Sequence, residues 1–83
     1  MQPEELKAIL ESSIDGASVE QISSDGRHVS VIIVSPAFEN LNRVKRHQLV
    51  YSVPALESAI ASDRLHALQM KTYSPAEWAE QNA

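Results

Sequence analysis

The sequence contains no cysteine, and this absence excludes more chemistry than any other feature of the composition. A chain without thiols forms no disulfide, has no thiolate nucleophile, and builds neither a cysteine-based zinc site nor an iron–sulfur site of its own. Only two residues are glycine, so a glycine-rich phosphate loop does not fit. Gly-x-Ser-x-Gly and His-Glu-x-x-His are also missing, and we therefore expect a protein that is not an enzyme.

Long hydrophobic runs and a strong positive charge are missing as well. The longest apolar run, Val31 to Val34, is far shorter than the roughly 18–20 residues of a membrane-spanning helix. The first residues are acidic rather than basic, so we expect a cytoplasmic protein with no signal, transit or membrane segment. A net charge of −4 argues against nonspecific nucleic-acid binding through global charge, although it is compatible with a local basic patch.

A chain of 83 residues is long enough for one small domain, and we expect a single domain over residues 1–83. A hydrophobic content of 43% and a charged content of 22% are typical of globular proteins. Apolar periodicity and turn signals predict an α+β fold, α-β-β-α-α-β-α, with helices packed on a three-stranded mixed sheet. The predicted elements are a helix over 3–13, strands over 17–24 and 28–35, helices over 42–51 and 54–62, a strand over 65–73 and a short helix after Ser74.

Turn and capping signals define how these elements connect. Asp25-Gly26 is a hairpin signal, which makes the first two strands antiparallel. Helices connect the second strand to the third, so these two strands are predicted to be parallel and to begin at the same edge of the sheet. Asn40 or Asn42 is predicted to cap the helix that follows, and the segment 74–77 reads as a capping box for the last helix.

Histidine is the side chain whose unperturbed charge changes near neutral pH, and two of the three histidines start predicted strands. His28 and His66 lie at the starts of neighbouring parallel strands, which are about 4.8 Å apart, so both imidazoles could reach one metal centre. Side-chain parity argues against this, because His66 shares parity with core-facing Leu68 and Met70 whereas His28 shares it with Ser30. From spacing alone we favour the alternative, a partly buried His66 and a solvated His28.

A basic cluster lies within little more than one turn of the helix predicted over 42–51. It could bind phosphate groups, an acidic partner surface or glutathione carboxylates, and a solvated helix face is the structural alternative. Leu41, Val44 and Tyr51 are predicted to lie near the apolar face of the same helix. Tyr51 is the one aromatic residue nearby, so the stacking residues of a single-strand binder are lacking. The cluster consists of Arg43, Lys45, Arg46 and His47.

Three segments carry a family resemblance: VIIVSPAF (31–38), RVKRHQLVY (43–51) and HALQMKTYSPAEW (66–78). They resemble the BolA family, especially its short YrbA/IbaG-type members. The last segment is the most specific, because His-Ala-Leu is followed by a Thr-x-x-Pro-x-x-Trp frame. The resemblance covers nearly the whole chain, from the first helix to Trp78.

The resemblance implies a fold like the type II KH domain and a role in iron–sulfur cluster trafficking beside a monothiol glutaredoxin. In that role the glutaredoxin cysteine and glutathione supply thiolates to a shared [2Fe–2S] cluster, and the BolA-like partner supplies histidine. His66 corresponds to the family's C-terminal cluster histidine, and His28 falls in the hairpin loop where members offer a second ligand. The chain alone is expected to bind no cofactor, and its apo form to be a monomer, with a homodimer as the alternative.

The family also suggests a rival function, a DNA-binding transcriptional regulator that uses the basic helix 42–51. In that case Arg43, Lys45 and Arg46 contact phosphates, and His47 or Gln48 reaches a base edge. One departure from the family concerns the turn before this helix, where Phe-x-Gly is common and this chain has Asn40. Asparagine tolerates positive φ better than most residues, so we expect the turn to survive.

Overall fold

The computed structural model describes residues 2–24, 28–65 and 67–82. The predicted order α-β-β-α-α-β-α is confirmed, with an additional 3-10 turn after the second strand. The likeness to a type II KH domain stays a prediction, since the element order alone does not test it. The elements are α1 (Pro3–Ser13), β1 (Ser18–Ser24), β2 (His28–Val34), the 3-10 turn (Pro36–Phe38), α2 (Arg43–Tyr51), α3 (Pro54–Ala61), β3 (Ala67–Tyr73) and α4 (Pro75–Gln81).

Capping side chains explain where two of the helices begin. The Asn42 side chain accepts a hydrogen bond from the Lys45 backbone N–H at 2.9 Å, which makes Asn42 rather than Asn40 the cap of α2. Ser74 and Glu77 form the predicted capping box of α4, each side chain accepting from the backbone N–H of the other residue. These bonds satisfy donors that the first turn of a helix leaves without partners.

The sheet has the order β1-β2-β3 and is mixed, as predicted. β1 pairs antiparallel with β2 and contains a bulge between Val19 and Gln21. β2 and β3 are parallel, and their register runs from His28 opposite Ala67 to Val34 opposite Tyr73. The hairpin residues Asp25-Gly26 lie outside the described residues. The pairing therefore brings the start of β2 and the start of β3 to the same edge of the sheet.

The hydrophobic core lies between one face of the sheet and the helices. Alternate residues of β2 point into it, while the residues between them, His28 and Ser30, are exposed on the open face. None of the helices within the described ranges is both long and apolar enough to span a membrane. The core includes Leu6, Leu10, Val29, Val31, Ile33, Phe38, Val50, Leu56 and Ala59.

Two local predictions are wrong. The third strand starts at Ala67 rather than Leu65, because the Leu65 N–H donates to the Ala59 carbonyl in the turn that ends α3. The predicted apolar face of α2 is also misplaced, since Val44 is 63% exposed and Tyr51 is 36% exposed. Val50 occupies the buried face instead. The face of α2 that packs against the core therefore differs from the face that the spacing of the apolar residues in α2 predicts.

Candidate functional site

His28 lies at the beginning of β2 on the open face of the sheet, and its side chain is exposed. It lines a shallow depression together with Ser30 and Gln69, and the Ser30 hydroxyl donates to the Gln69 amide oxygen at 3.3 Å. Parity therefore predicted its face correctly. The other predicted ligand, His66, lies outside the described residues, but Ala67, the next residue along the chain, is the register partner of His28.

The donor set around His28 is small. Over residues 2–24, 28–65 and 67–82, no three histidine, aspartate or glutamate side chains are grouped closely enough to hold a metal ion. An exposed imidazole still offers a nitrogen donor to a metal whose other ligands come from another molecule.

The basic cluster lies beside a groove between α2, β3 and α4. The groove has a volume of about 840 Å³, and three members of the cluster line it, namely Arg43, Arg46 and His47. The fourth member, Lys45, is exposed but does not line the groove. The structure thus divides the predicted basic surface into a groove-facing part and a solvent-facing lysine.

Arg46 is largely buried, with only 11% of its side chain exposed. Its Nε donates to the Leu41 carbonyl at 2.8 Å, and Nη1 donates to the Thr72 carbonyl at 3.1 Å. Nη1 and Nη2 also donate to the two carboxylate oxygens of Glu77, at 2.7 and 3.3 Å. The guanidinium lies 5.9 Å from the centre of the Phe38 ring. Arg46 therefore joins α2, β3 and α4, a role that no local sequence signal indicates.

Glu77 has the one strongly shifted acidity among the described residues. The hydrogen bond from Arg46 is the main cause that lowers its pKa from 4.5 to about 2, and the backbone N–H of Ser74 also contributes. The capping box predicted Glu77 as a structural residue but missed its ion pair with Arg46. Trp78, the next residue, is half-buried and contacts Tyr73, with ring centres 5.4 Å apart.

Arg43, Lys45 and Lys71 are the cations of this region that remain available. All three side chains are exposed, and none forms an ion pair with another residue in the described part of the chain. Arg46 differs from them because Glu77 balances its charge. The surface that can attract an anion around α2 is therefore built on Arg43, Lys45 and Lys71.

Comparison with known proteins identifies relatives that match this chain over most of its length. The family model described as BolA-like protein matches residues 1–77. The acid stress protein IbaG of Escherichia coli is 40% identical over 79 residues, which cover 95% of this chain and 90% of that protein. The DNA-binding transcriptional regulator BolA of Vibrio cholerae is 41% identical over 81 residues, covering 98% and 70%.

Solved structures lead to the same family. A BolA protein homologue from Coxiella burnetii superposes with a TM-score of 0.83 at 34% identity, covering 95% of this chain and 97% of that one. Sequence and structure together establish that this chain belongs to the BolA-like family.

Proposed function

We propose that this protein works beside a monothiol glutaredoxin in iron–sulfur cluster trafficking, where it supplies histidine to a shared [2Fe–2S] cluster. The observation that carries the proposal is the position of His28, exposed at the start of β2 and paired in register with Ala67, which follows His66 in the sequence. The role itself is the one that family resemblance suggests. The protein contributes binding groups in this role and catalyses no reaction.

The ligand count supports a shared cluster. A [2Fe–2S] cluster needs four protein or thiol ligands, and imidazoles can replace two of the thiolates. This chain has no cysteine, so the thiolates must come from the glutaredoxin and from glutathione. An imidazole nitrogen of His66, and a second from His28, then complete the coordination and hold the cluster between the two proteins.

A spectroscopic titration tests this proposal. A monothiol glutaredoxin carrying its [2Fe–2S] cluster is titrated with the wild-type chain while visible absorption and circular dichroism are recorded. We expect a saturable spectral change that His66→Ala abolishes and that His28→Ala weakens. His47→Ala is the matched control, since its histidine lies on α2 beside the groove, and it should behave as wild type.

Two other results would contradict the proposal. If the wild-type chain binds glutaredoxin without changing the cluster spectrum, the protein is an adaptor that does not touch the metal. If His66→Ala leaves both complex formation and the spectrum unchanged, the cluster is not held by this histidine. Complex formation is measured separately, by calorimetry with the apo proteins, so that loss of docking is not mistaken for loss of ligation.

A second candidate function is DNA binding through helix 42–51. It is favoured by the exposed Arg43 and Lys45, which form no ion pair among the described residues, and by the relative named as a DNA-binding regulator. The buried Arg46 counts against it, because that side chain is already bonded within the protein. DNA affinity should fall steeply with salt, and Lys45→Ala should reduce the salt slope by about 1. Affinity that is independent of salt would exclude this function.

A further inference from the structure

The groove beside the basic cluster runs along the outer edge of the sheet. β3 is the last strand in the order β1-β2-β3, so one of its edges has no neighbouring strand within the described chain. The Tyr73 carbonyl points to β2, because it accepts from the Ser35 N–H. The Leu68 and Thr72 carbonyls point away from β2, because they accept from Tyr51 and Arg46 on α2.

Alternation along a strand identifies the remaining groups at this edge. The N–H and C=O of one residue point to one side of a strand, and those of the next residue point to the other. The N–H and C=O of Met70 therefore share the edge of Leu68 and Thr72, as does the Thr72 N–H. Side chains of α2 bond only the two carbonyls, and the groups of Met70 have no partner among the described residues.

These groups lie in the groove rather than on a flat surface. Met70 and Thr72 line it, with α2 forming one wall and α4 the other. Arg43 and Lys71 also line it, and neither has an ion pair with another described residue. The groove thus combines open strand backbone with two exposed cations, on a protein whose net charge is −4.

We propose that this groove binds an extended peptide segment of another protein, which pairs with the edge of β3 at Met70 and presents acidic side chains to Arg43 and Lys71. Strand addition provides main-chain hydrogen bonds for affinity, and the flanking side chains provide selectivity. The open donors at Met70 and Thr72 match the acceptors of such a segment, and the two cations match its carboxylates. This site is separate from His28 and does not depend on cluster binding.

Two other occupants fit the groove less well. A second copy of this chain would have to bring its own β3 edge to the usual strand spacing of about 4.8 Å, but that edge is recessed between α2 and α4 in the same way. Nucleic acid would bring phosphates close to Glu77 and Glu80, which line the side of the groove opposite Arg43. A single extended peptide brings no second pair of helices with it. Because its side chains alternate in direction, its carboxylates can face Arg43 and Lys71 while neutral side chains face Glu77 and Glu80.

Amide exchange and chemical-shift mapping test the proposal on the full chain. In the free protein, the amides of Met70 and Thr72 should exchange faster than those of Gln69 and Lys71, which face β2. The probe is a six-residue peptide of alternating glutamate and valine, capped at both ends. Its addition should shift and protect the Met70 and Thr72 amides. A matched peptide that is N-methylated at alternate residues keeps every side chain but should not bind.

Variants separate the groove from the rest of the basic helix. Arg43→Glu combined with Lys71→Glu should weaken binding of the glutamate–valine peptide by roughly tenfold. Lys45→Glu is the matched control, because Lys45 is exposed on the same helix but does not line the groove, and it should bind the peptide like wild type. A lysine–valine peptide should not bind.

Several outcomes would overturn the proposal. Slow exchange of Met70 and Thr72 in the free protein would show that the edge is already closed. Equal binding of the N-methylated peptide would exclude strand pairing. If the glutamate–valine peptide causes no shifts while a short DNA duplex shifts the amides of α2, the cations belong to a nucleic-acid surface instead.

Discussion

Arg46 and Glu77 illustrate how a long-range contact changes the role of a charged residue. Arg46 belongs by sequence to a basic helix, which predicts a solvated or ligand-binding position for its side chain. The structure bonds it to Leu41, Thr72 and Glu77, so its charge is balanced within the protein. The same bonds make Glu77 a stronger acid than an ordinary glutamate. The pair therefore contributes to stability in a way that depends on pH.

The pKa of Glu77 sets the direction of that dependence. Its pKa is lowered from 4.5 to about 2 in the folded protein, so the unfolded chain binds this proton more readily. The stabilisation is complete above the unfolded pKa and is lost as the pH falls towards 2. Urea unfolding from pH 2 to 6 should show Glu77→Gln less stable than wild type at pH 6, with the difference shrinking in acid.

Glu80→Gln is the matched control for this experiment, because Glu80 is exposed on the same helix and forms no ion pair with described residues. Its stability relative to wild type should change little over this pH range. A Glu77→Gln deficit that stays constant down to pH 2 would contradict the assignment.

Asn40 lies in the turn before α2, where relatives commonly have glycine. Its φ is 67°, in the left-handed region where glycine is favoured and asparagine is tolerated. Asn40→Ala should cost about 1 kcal/mol in the free energy of unfolding, because a Cβ without a compensating polar group is strained there. Asn40→Gly should stay within about 1 kcal/mol of wild type. Urea unfolding measures both variants, and an alanine variant as stable as wild type would contradict this prediction.

At the scale of elements, the sequence predicts those features that depend on residues close together in the chain, such as the starts of helices. Asn42 and Ser74 begin helices through bonds to residues three positions along the chain, so short motifs identify them. The face that α2 buries depends instead on contacts with distant elements. The bond from Arg46 to Glu77 spans 31 positions in the chain, and no local pattern encodes it.

The connection between α1 and β1 gives a prediction at this scale. Gly16 has φ 63°, and a Cβ at this residue would lie 2.9 Å from Pro36 Cγ in the 3-10 turn. The buried Ser35 hydroxyl holds the same two segments together by donating to the Asp15 carbonyl at 2.6 Å. Gly16→Ala should therefore destabilise the fold by about 1–3 kcal/mol.

Thermal unfolding of Gly16→Ala checks this prediction against a control. Ser13→Ala is suitable, because Ser13 is exposed at the end of α1 and its change should stay within about 0.5 kcal/mol. If both alanine variants unfold at the temperature of wild type, the close packing of Gly16 against Pro36 does not limit stability.

At the scale of the whole molecule, the two proposed sites use different parts of β3. His28 is opposite Ala67, where the strand starts, and the groove is lined by Met70 and Thr72. These two residues lie three and five positions beyond Ala67, about 10 and 17 Å at the usual rise per residue. The two proposals therefore assign cluster ligation and peptide binding to separate parts of the molecule.

Sequence reasoning predicted the position of His28 on the sheet but did not predict the groove. Parallel pairing of β2 and β3, together with side-chain parity, predicted where His28 begins its strand and which face it occupies. The groove depends on which strand lies at the edge and on how α4 folds back beside α2. Those relations appear only once the tertiary structure is known.

The central claim is that an imidazole of this protein binds iron in the shared cluster, and pulsed EPR tests it most directly. The cluster is assembled from unlabelled glutaredoxin and glutathione with this chain carrying ¹⁵N-histidine, and is then reduced. We predict ¹⁵N hyperfine coupling of directly bound imidazole, unchanged in His47→Ala, reduced in His66→Ala to the coupling of His28, and absent when His28 and His66 are both replaced by alanine. A reduced cluster in the complex that shows no ¹⁵N coupling to this chain would contradict the claim.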